Sequence, residues 1–97
     1  MSPFIAGTYW SQADKKIDNA NSDCGTPVEV ACAGVAAGQI SCNDDSVNVC
    51  TAFIHNTDQN KCYKFDFTSG GDTLLETCTI DGDAGVHTQV SAALTNN

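Results

Sequence analysis

Two histidines, His55 and His87, are the only side chains of this 97-residue chain whose ordinary pKa lies close to neutrality. With a nearby lysine, Lys61 or Lys64, they could perform general acid–base chemistry of the kind that small ribonucleases use. Such a site must also stabilise a phosphorane, and the chain has four lysines and no arginine for that task. We therefore expect both histidines on the surface and predict no catalytic residue. A small secreted, ribonuclease-like hydrolase that uses His55 and His87 is the alternative.

Two acidic segments carry oxygen atoms that could bind calcium, Asn-Asp-Asp at 43–45 and Asp-Gly-Asp at 81–83. Neither has the spacing of a twelve-residue calcium loop closed by a glutamate. Turns use the same residue types, so turn formation explains both segments. The chain also lacks a G-x-S-x-G serine motif and a glycine-rich phosphate loop. We predict no metal, no cofactor and no enzyme activity.

The cysteine content is high for the length of the chain, and the even number of cysteines suits three disulfides. No C-x-x-C pair occurs and no histidine lies close to two cysteines, so a zinc site is disfavoured. A domain this small buries a modest core, and disulfides supply the stability that such a core lacks. The pattern predicts one secreted, extracellular domain over 1–97 whose cysteines are all paired: Cys24, Cys32, Cys42, Cys50, Cys62 and Cys78.

The charge balance excludes some classes of partner. Twelve acidic residues against four basic ones give a formal net charge of −8, which repels nucleic-acid phosphates and anionic membranes. No apolar run approaches the roughly 20 residues that cross a bilayer, and no signal peptide is recognisable in 1–10. Met1 is interpreted as an initiator added to a mature sequence. We expect a monomer that binds a protein or a glycan, without nucleic-acid binding or membrane insertion.

Two helices are predicted in the first half of the chain. Ser11 resembles an N-cap, and apolar residues at helical spacing follow it, which indicates a short helix over 11–20. The T-x-x-E capping box at 26–29 has proline at the first helical position and predicts a helix over 27–37 that ends at Gly38. A strand over 28–33 is the competing interpretation. Periodicity over 47–54 fits a helix or a strand, and the acids at its start favour a helix.

Two β runs joined by Ser-Gly-Gly at 69–71 predict a hairpin over 61–80. Centred on Gly70, its register places Cys62 opposite Cys78 and Lys64 opposite Glu76. Cys62 and Cys78 would then form a cross-strand disulfide, which leaves the other four cysteines with three alternative pairings. The opposite face of the hairpin would cover a core through three cross-strand pairs: Tyr63–Thr77, Phe65–Leu75 and Phe67–Thr73.

The remaining elements complete an α+β fold, with short helices in the first half and an antiparallel sheet built on the 61–80 hairpin. Residues 81–85 read as a turn, and the alternation over 86–92 predicts a third strand. Tyr9 and Trp10 are expected to cover the sheet rather than to form an exposed binding anchor.

In length, six spaced cysteines, acidic balance and α+β pattern, the chain resembles the small secreted cysteine-rich proteins of filamentous fungi, often called effectors. The killer-toxin-like group among them combines helices with an antiparallel sheet stapled by disulfides. The resemblance implies a non-enzymatic, effector-like or toxin-like protein that binds a host or microbial target. It rests on no specific motif, so no functional residue is carried over. A self-associating surface or structural protein is a further alternative.

Overall fold

One antiparallel sheet of five strands forms the frame of the domain, with the order β1-β5-β3-β4-β2. The computed structural model describes residues 4–5, 9–17, 27–47, 50–65 and 80–91. None of them forms a helix long and apolar enough to cross a membrane. The α+β class holds in its coarse form, but the sheet dominates. In chain order the elements are β1 Tyr9–Ile17, β2 Val28–Ala31, α1 Val35–Asn43, β3 Ala52–Asn56, β4 Lys61–Phe65 and β5 Ile80–Ser91.

The helix predicted over 11–20 is wrong over 11–17, because those residues belong to strand β1. This strand pairs with β5 from Tyr9↔Ser91 to Ile17↔Ile80. The hydroxyl of Ser11 bonds His87 on β5 instead of capping a helix. Local helix signals amount to a few tenths of a kilocalorie per residue, and a long ladder to a distant strand overrides them.

The segment after Pro27 follows the competing interpretation, because it forms strand β2 before any helix begins. The only helix of the described residues, α1, starts at Val35 and ends at Asn43, so the predicted helix over 27–37 is right only over 35–37 and its predicted end at Gly38 is wrong. Gly38 is buried in the middle of α1. A Cβ atom at this position would lie 2.5 Å from Cε2 of Phe53, so glycine lets the helix approach β3 closely.

The helix favoured over 47–54 is also wrong where it overlaps the described strand, because β3 begins at Ala52. The alternation of residue types over 47–54, rather than their helical spacing, indicates this strand correctly. β3 lies between β4 and β5 in the middle of the sheet, and four of its five residues are buried. A central strand buried on both faces gives a weak alternation in sequence, which explains the ambiguity.

The predicted hairpin over 61–80 is right that Lys61–Phe65 is a strand but wrong about which strands pair with it. β4 pairs with β3 along one edge and, over Lys61–Lys64, with β2 along the other, so both edges of these four residues are occupied. Phe65 faces Ala52 rather than Leu75, and Lys64 forms its ion pair with Asp45 rather than Glu76. β5 does follow later in the chain, but β3 lies between it and β4. Residues 66–79 lie outside the described residues.

Strand β5 confirms the predicted strand over its described residues 86–91 and extends it back to Ile80. The turn predicted over 81–85 is therefore an irregular part of a strand. Between the pairs Ala13↔His87 and Lys15↔Gly82, the single residue Asp14 stands opposite residues 83–86. Asp14 and Gly85 have φ angles of 58° and 85°, and the Gly85 N–H donates to Oδ1 of Asp14 at 3.2 Å. The turn residues of the sequence thus form a bulge.

The sheet separates two apolar clusters. The helix face carries α1 and includes Phe53 and Cys62, while the opposite face includes Ile54 and Phe65. Tyr9 packs on the helix face and Trp10 on the opposite one, which confirms that this pair covers the sheet. The buried members are Phe4, Cys32, Cys42, Cys50, Phe53 and Cys62 on the helix face, and Ile17, Ala52, Ile54, Phe65, Val86 and Val90 on the opposite face.

Two disulfides tie the helix face together. Cys32 pairs with Cys62 and Cys42 pairs with Cys50, so the predicted Cys62–Cys78 bond is wrong. The reason is the pairing of β2 with β4, which the Cys32 N–H continues by donating to the Asn60 carbonyl at 3.0 Å. That contact brings the Cα atoms of Cys32 and Cys62 to 5.4 Å. Cys24 and Cys78 lie outside the described residues.

Candidate functional site

The two histidines, which are 32 positions apart in sequence, are directly opposite each other on neighbouring strands, since β3 pairs with β5 in the register His55↔His87. The Thr57 N–H donates to the Gly85 carbonyl, and the Ser91 N–H donates to the Thr51 carbonyl. Hydrogen-bonded pairs alternate along such a ladder, so His55 and His87 form one of them, with Cα atoms about 5.5 Å apart. The two side chains lie on the helix face, where Phe53 and Gln89 form the adjacent pair.

His55 was expected on the surface, but only 6% of it is exposed. It lies laterally between Cys62 on β4 and His87 on β5. Its Nε2 atom is buried and has no hydrogen-bond partner among the described residues. An unpaired buried polar atom costs about 1–3 kcal/mol, and native proteins keep few of them. This nitrogen therefore indicates a contact that the described residues do not supply.

His87 ends a chain of hydrogen-bonded side chains that runs from α1 across β5 to β1. Gln39 Nε2 donates to Gln89 Oε1 at 2.6 Å, and Gln89 Nε2 donates to Ser11 Oγ at 3.1 Å. Ser11 Oγ lies 2.7 Å from Nε2 of His87. We call these four residues and His55 the polar strip. Its members come from four elements and lie as much as 78 positions apart, so sequence spacing gives no indication of it.

The imidazole of His87 is a weaker base than usual. Burial lowers its pKa from 6.5, the charge of His55 lowers it further, and the carboxylate of Asp14 partly opposes both effects. At neutral pH the imidazole ring of His87 is therefore uncharged. One ring nitrogen of a neutral imidazole carries a lone pair that can accept a proton or bind a metal.

A serine hydroxyl against a neutral imidazole is half of a nucleophilic site. A complete triad would also have a carboxylate on the second ring nitrogen of His87, and the described residues contain no such bond. The Oδ1 atom of Asp14 instead accepts the Gly85 N–H. Such an orienting group holds the imidazole in the productive tautomer. The strip can bind and transfer protons, but it lacks this element of acyl-transfer chemistry.

The lysines proposed for a ribonuclease site already have acidic partners. Lys64 Nζ lies 2.8 Å from Oδ2 of Asp45 and donates to Ser41 Oγ at 3.1 Å. Lys61 Nζ lies 3.4 Å from Oε2 of Glu29. The histidines come together as that chemistry requires, but a cation to stabilise a phosphorane does not join them.

The two acidic segments are engaged in contacts within the protein. Asn43 bonds the backbone of Phe4 through both its side-chain atoms, and Asp45 holds Lys64. Asp83 forms an exposed ion pair with Lys16 at 3.4 Å. Within the parts of the chain that the structure describes, no group of three or more His, Cys, Asp or Glu side chains is arranged to hold a metal ion.

A second feature is a set of four large apolar side chains that are exposed, two of which lie in or just after the C-terminal half of α1. Ile40 lies in the last turns of α1, and Val47 follows the helix in the next loop. Ile5 adjoins Phe4, which Asn43 holds, and Val28 faces Lys64, which bonds Ser41 on α1. We call this group the α1-end patch: Ile5 (57% exposed), Val28 (40%), Ile40 (62%) and Val47 (87%).

No protein-family model and no curated protein matches this chain in sequence.

Proposed function

We propose that this chain is a secreted, non-enzymatic binding protein, effector-like or toxin-like, that docks a host or microbial protein on its α1-end patch. The observation that carries the proposal is the exposure of four large apolar side chains, of which Ile40 lies near the end of α1 and Val47 in the loop that follows. Isolated exposed apolar residues are ordinary, whereas grouped ones characterise interaction surfaces. Aliphatic side chains also suit an apolar pocket on a protein better than the polar surface of a glycan.

Secretion is supported by the two disulfides, since small oxidised domains belong to extracellular compartments. Each disulfide constrains a segment that carries a residue of the patch. Cys42–Cys50 closes the loop that carries Val47, and Cys32–Cys62 anchors β2. The ion pair between Lys64 and Asp45 fixes the same loop from the side of the sheet. A patch held in this way loses little conformational entropy on binding, which favours affinity.

The charge of the chain indicates the kind of partner. Asp44 is exposed at the end of α1, and the chain as a whole carries a formal net charge of −8. A partner surface with an apolar centre and basic residues at its rim would be complementary to such a patch. Basic rim residues would also speed the encounter at low ionic strength.

The test is an affinity capture with paired variants. Oxidised protein is immobilised and exposed to extracellular proteins from host tissue and from microbial cultures, and retained proteins are quantified by mass spectrometry. Ile40→Asp with Val47→Asp places two charges in the patch, and we expect affinity for the specific partner to fall by tenfold or more because each charge must be buried. Thr57→Asp places a charge in the exposed turn at the far end of β3 as the matched control.

A partner kept by the parent chain and by Thr57→Asp, but lost by the double variant, supports the proposal. Equal retention by all three proteins contradicts it, and so does the absence of any saturable partner. If concentration-dependent dimers form and the double variant abolishes them, the patch serves self-association, and the binding proposal fails.

The ribonuclease-like hydrolase stays as a second candidate because His55 and His87 are neighbours. It predicts RNA cleavage that is lost in His87→Asn. Cleavage with that dependence would replace the binding proposal, while an equally slow rate in both proteins would indicate contamination and remove the hydrolase from consideration.

A further inference from the structure

The histidine pair of the polar strip has the form of a bidentate metal site. Side chains directly opposite each other in an antiparallel ladder have Cβ atoms about 4.5–5.5 Å apart. Two imidazole nitrogens that bind one ion at about 2.0–2.1 Å lie about 3.3 Å from each other in a tetrahedral arrangement. The register His55↔His87 makes the two residues direct neighbours on adjacent strands, with both side chains on the same face of the sheet.

The geometry points to a site for a divalent late transition metal, Zn²⁺ or Cu²⁺, held by Nε2 of His55 and Nδ1 of His87. The site uses no residue of the α1-end patch and does not depend on the function proposed for that patch. Nε2 of His55 is buried with no partner among the described residues, and His55 as a whole is 6% exposed. A bound ion would satisfy that nitrogen, which no described side chain does.

Ser11 prepares His87 for this role. Its hydroxyl lies 2.7 Å from Nε2 of His87, which leaves Nδ1 as the ring nitrogen with no protein partner in the described strands. Histidines that bind metals commonly donate their other N–H to an oxygen atom, and this bond fixes the ring and its tautomer. Gln89 and Gln39 hold the serine in turn. His87 therefore already has the outer contacts of a metal ligand.

The charge and the donor atoms identify the ligand as a cation that prefers nitrogen. The net charge of −8 and the nearby carboxylate of Asp14 attract cations and repel anions. Neutral imidazoles suit zinc and copper, whereas calcium and magnesium prefer oxygen atoms. Closed structural zinc sites have four protein ligands. Two histidines supply fewer, so water completes the coordination and the affinity is modest. Cys62 beside His55 is oxidised and does not compete as a ligand.

The experiment is a Zn²⁺ titration of the oxidised chain, followed by calorimetry and by the imidazole NMR signals. We expect one ion per chain and simultaneous shifts of the His55 and His87 resonances. His87→Asn should lose the binding, and Ser11→Ala should weaken it by about tenfold because the ring is no longer oriented. Asp58→Asn, in the exposed turn between β3 and β4, removes a charge away from the pair and should leave the affinity unchanged.

Several outcomes would overturn the site. Shifts of only one histidine, binding retained in His87→Asn, or an equal effect of Asp58→Asn would each show non-specific attraction to the acidic surface. Displacement of Zn²⁺ by an equal concentration of Ca²⁺ would show a carboxylate site. If His87→Asn does not fold, the paired shifts in the parent chain and the tenfold weakening in Ser11→Ala still decide between the outcomes.

Discussion

The helix face of the sheet has two halves that are held in different ways. On the β4 half, the Cys32–Cys62 disulfide and the ion pair of Lys64 with Asp45 join the helix segment to the sheet. On the β5 half, the contact with α1 passes through neutral side chains, from Gln39 to Gln89. The first half contains a disulfide and a buried ion pair, whereas beside β5 the buried Nε2 of His55 on β3 has no hydrogen-bond partner among the described residues. The strongest stabilising links therefore lie on the β4 half, and the titratable histidine pair lies on the β5 half.

Breaking the ion pair of the β4 half should have the largest effect. The side chains of Lys64 and Asp45 are 10% and 7% exposed, so Lys64→Met leaves a buried carboxylate without its cation. We expect the free energy of unfolding to fall by about 3–5 kcal/mol in urea titrations. The control is Lys16→Met, whose pair with Asp83 is about 40% exposed on both sides and should contribute less than about 1 kcal/mol. Equal losses in the two variants would contradict a buried pair.

The two disulfides should differ in what they contribute. Cys32–Cys62 spans 30 positions and Cys42–Cys50 spans 8. Chain entropy then assigns about 3.7 kcal/mol to the first and about 2.6 kcal/mol to the second. Replacing each pair by two serines and comparing the unfolding free energies measures the difference. A greater loss from the short loop would mean that the β4 half does not depend mainly on the Cys32–Cys62 bond.

The packing of α1 against β3 should be disrupted by a larger residue at Gly38. Gly38→Ala would bring a methyl group against the ring of Phe53, and we expect a loss of about 1–3 kcal/mol on thermal or urea unfolding. Gly34→Ala is the matched control, because a Cβ atom there meets nothing within 4 Å. If both variants unfold alike, the helix does not lie as close to β3 as described.

The β5 half should respond to pH. Since the folded state lowers the pKa of His87 below 6.5, the unfolded chain binds a proton first as the pH falls. Stability from this group is complete above pH 6.5 and decreases from there down to the lowered pKa. Urea unfolding at pH 7.5 and pH 5.5 measures the decrease. His87→Asn should show a smaller decrease than the parent chain, and an identical decrease would exclude His87 as its source.

The sequence predicted what depends on composition and on short-range alternation. It indicated paired cysteines, a strand over the described part of 86–92, and the role of Tyr9 and Trp10 as cover for the sheet. It failed where a distant partner decided the structure. The segment 11–17 is extended because β5 pairs with it, and Cys62 meets Cys32 because β2 occupies the edge of β4.

The candidate site could be predicted only in part for the same reason. The two histidines stood out by residue type, but their register depends on β3 and β5, which are separated by 23 positions in sequence. Ser11 carried a helix-cap signal, and its role beside His87 arises from a strand pairing over 76 positions. The α1-end patch depends on where a helix ends, which local patterns placed incorrectly.

The most direct test of the account is disulfide mapping of the protein isolated without reductant, because the β4 half of the helix face and the strand order rest on those pairings. The account predicts a mass six hydrogens below that of the reduced chain, from six cysteines. Non-reduced digestion should give linked peptides for Cys32–Cys62 and Cys42–Cys50. A linked peptide containing Cys62 and Cys78 would contradict the strand order β3-β4-β2, and six free thiols would contradict secretion itself.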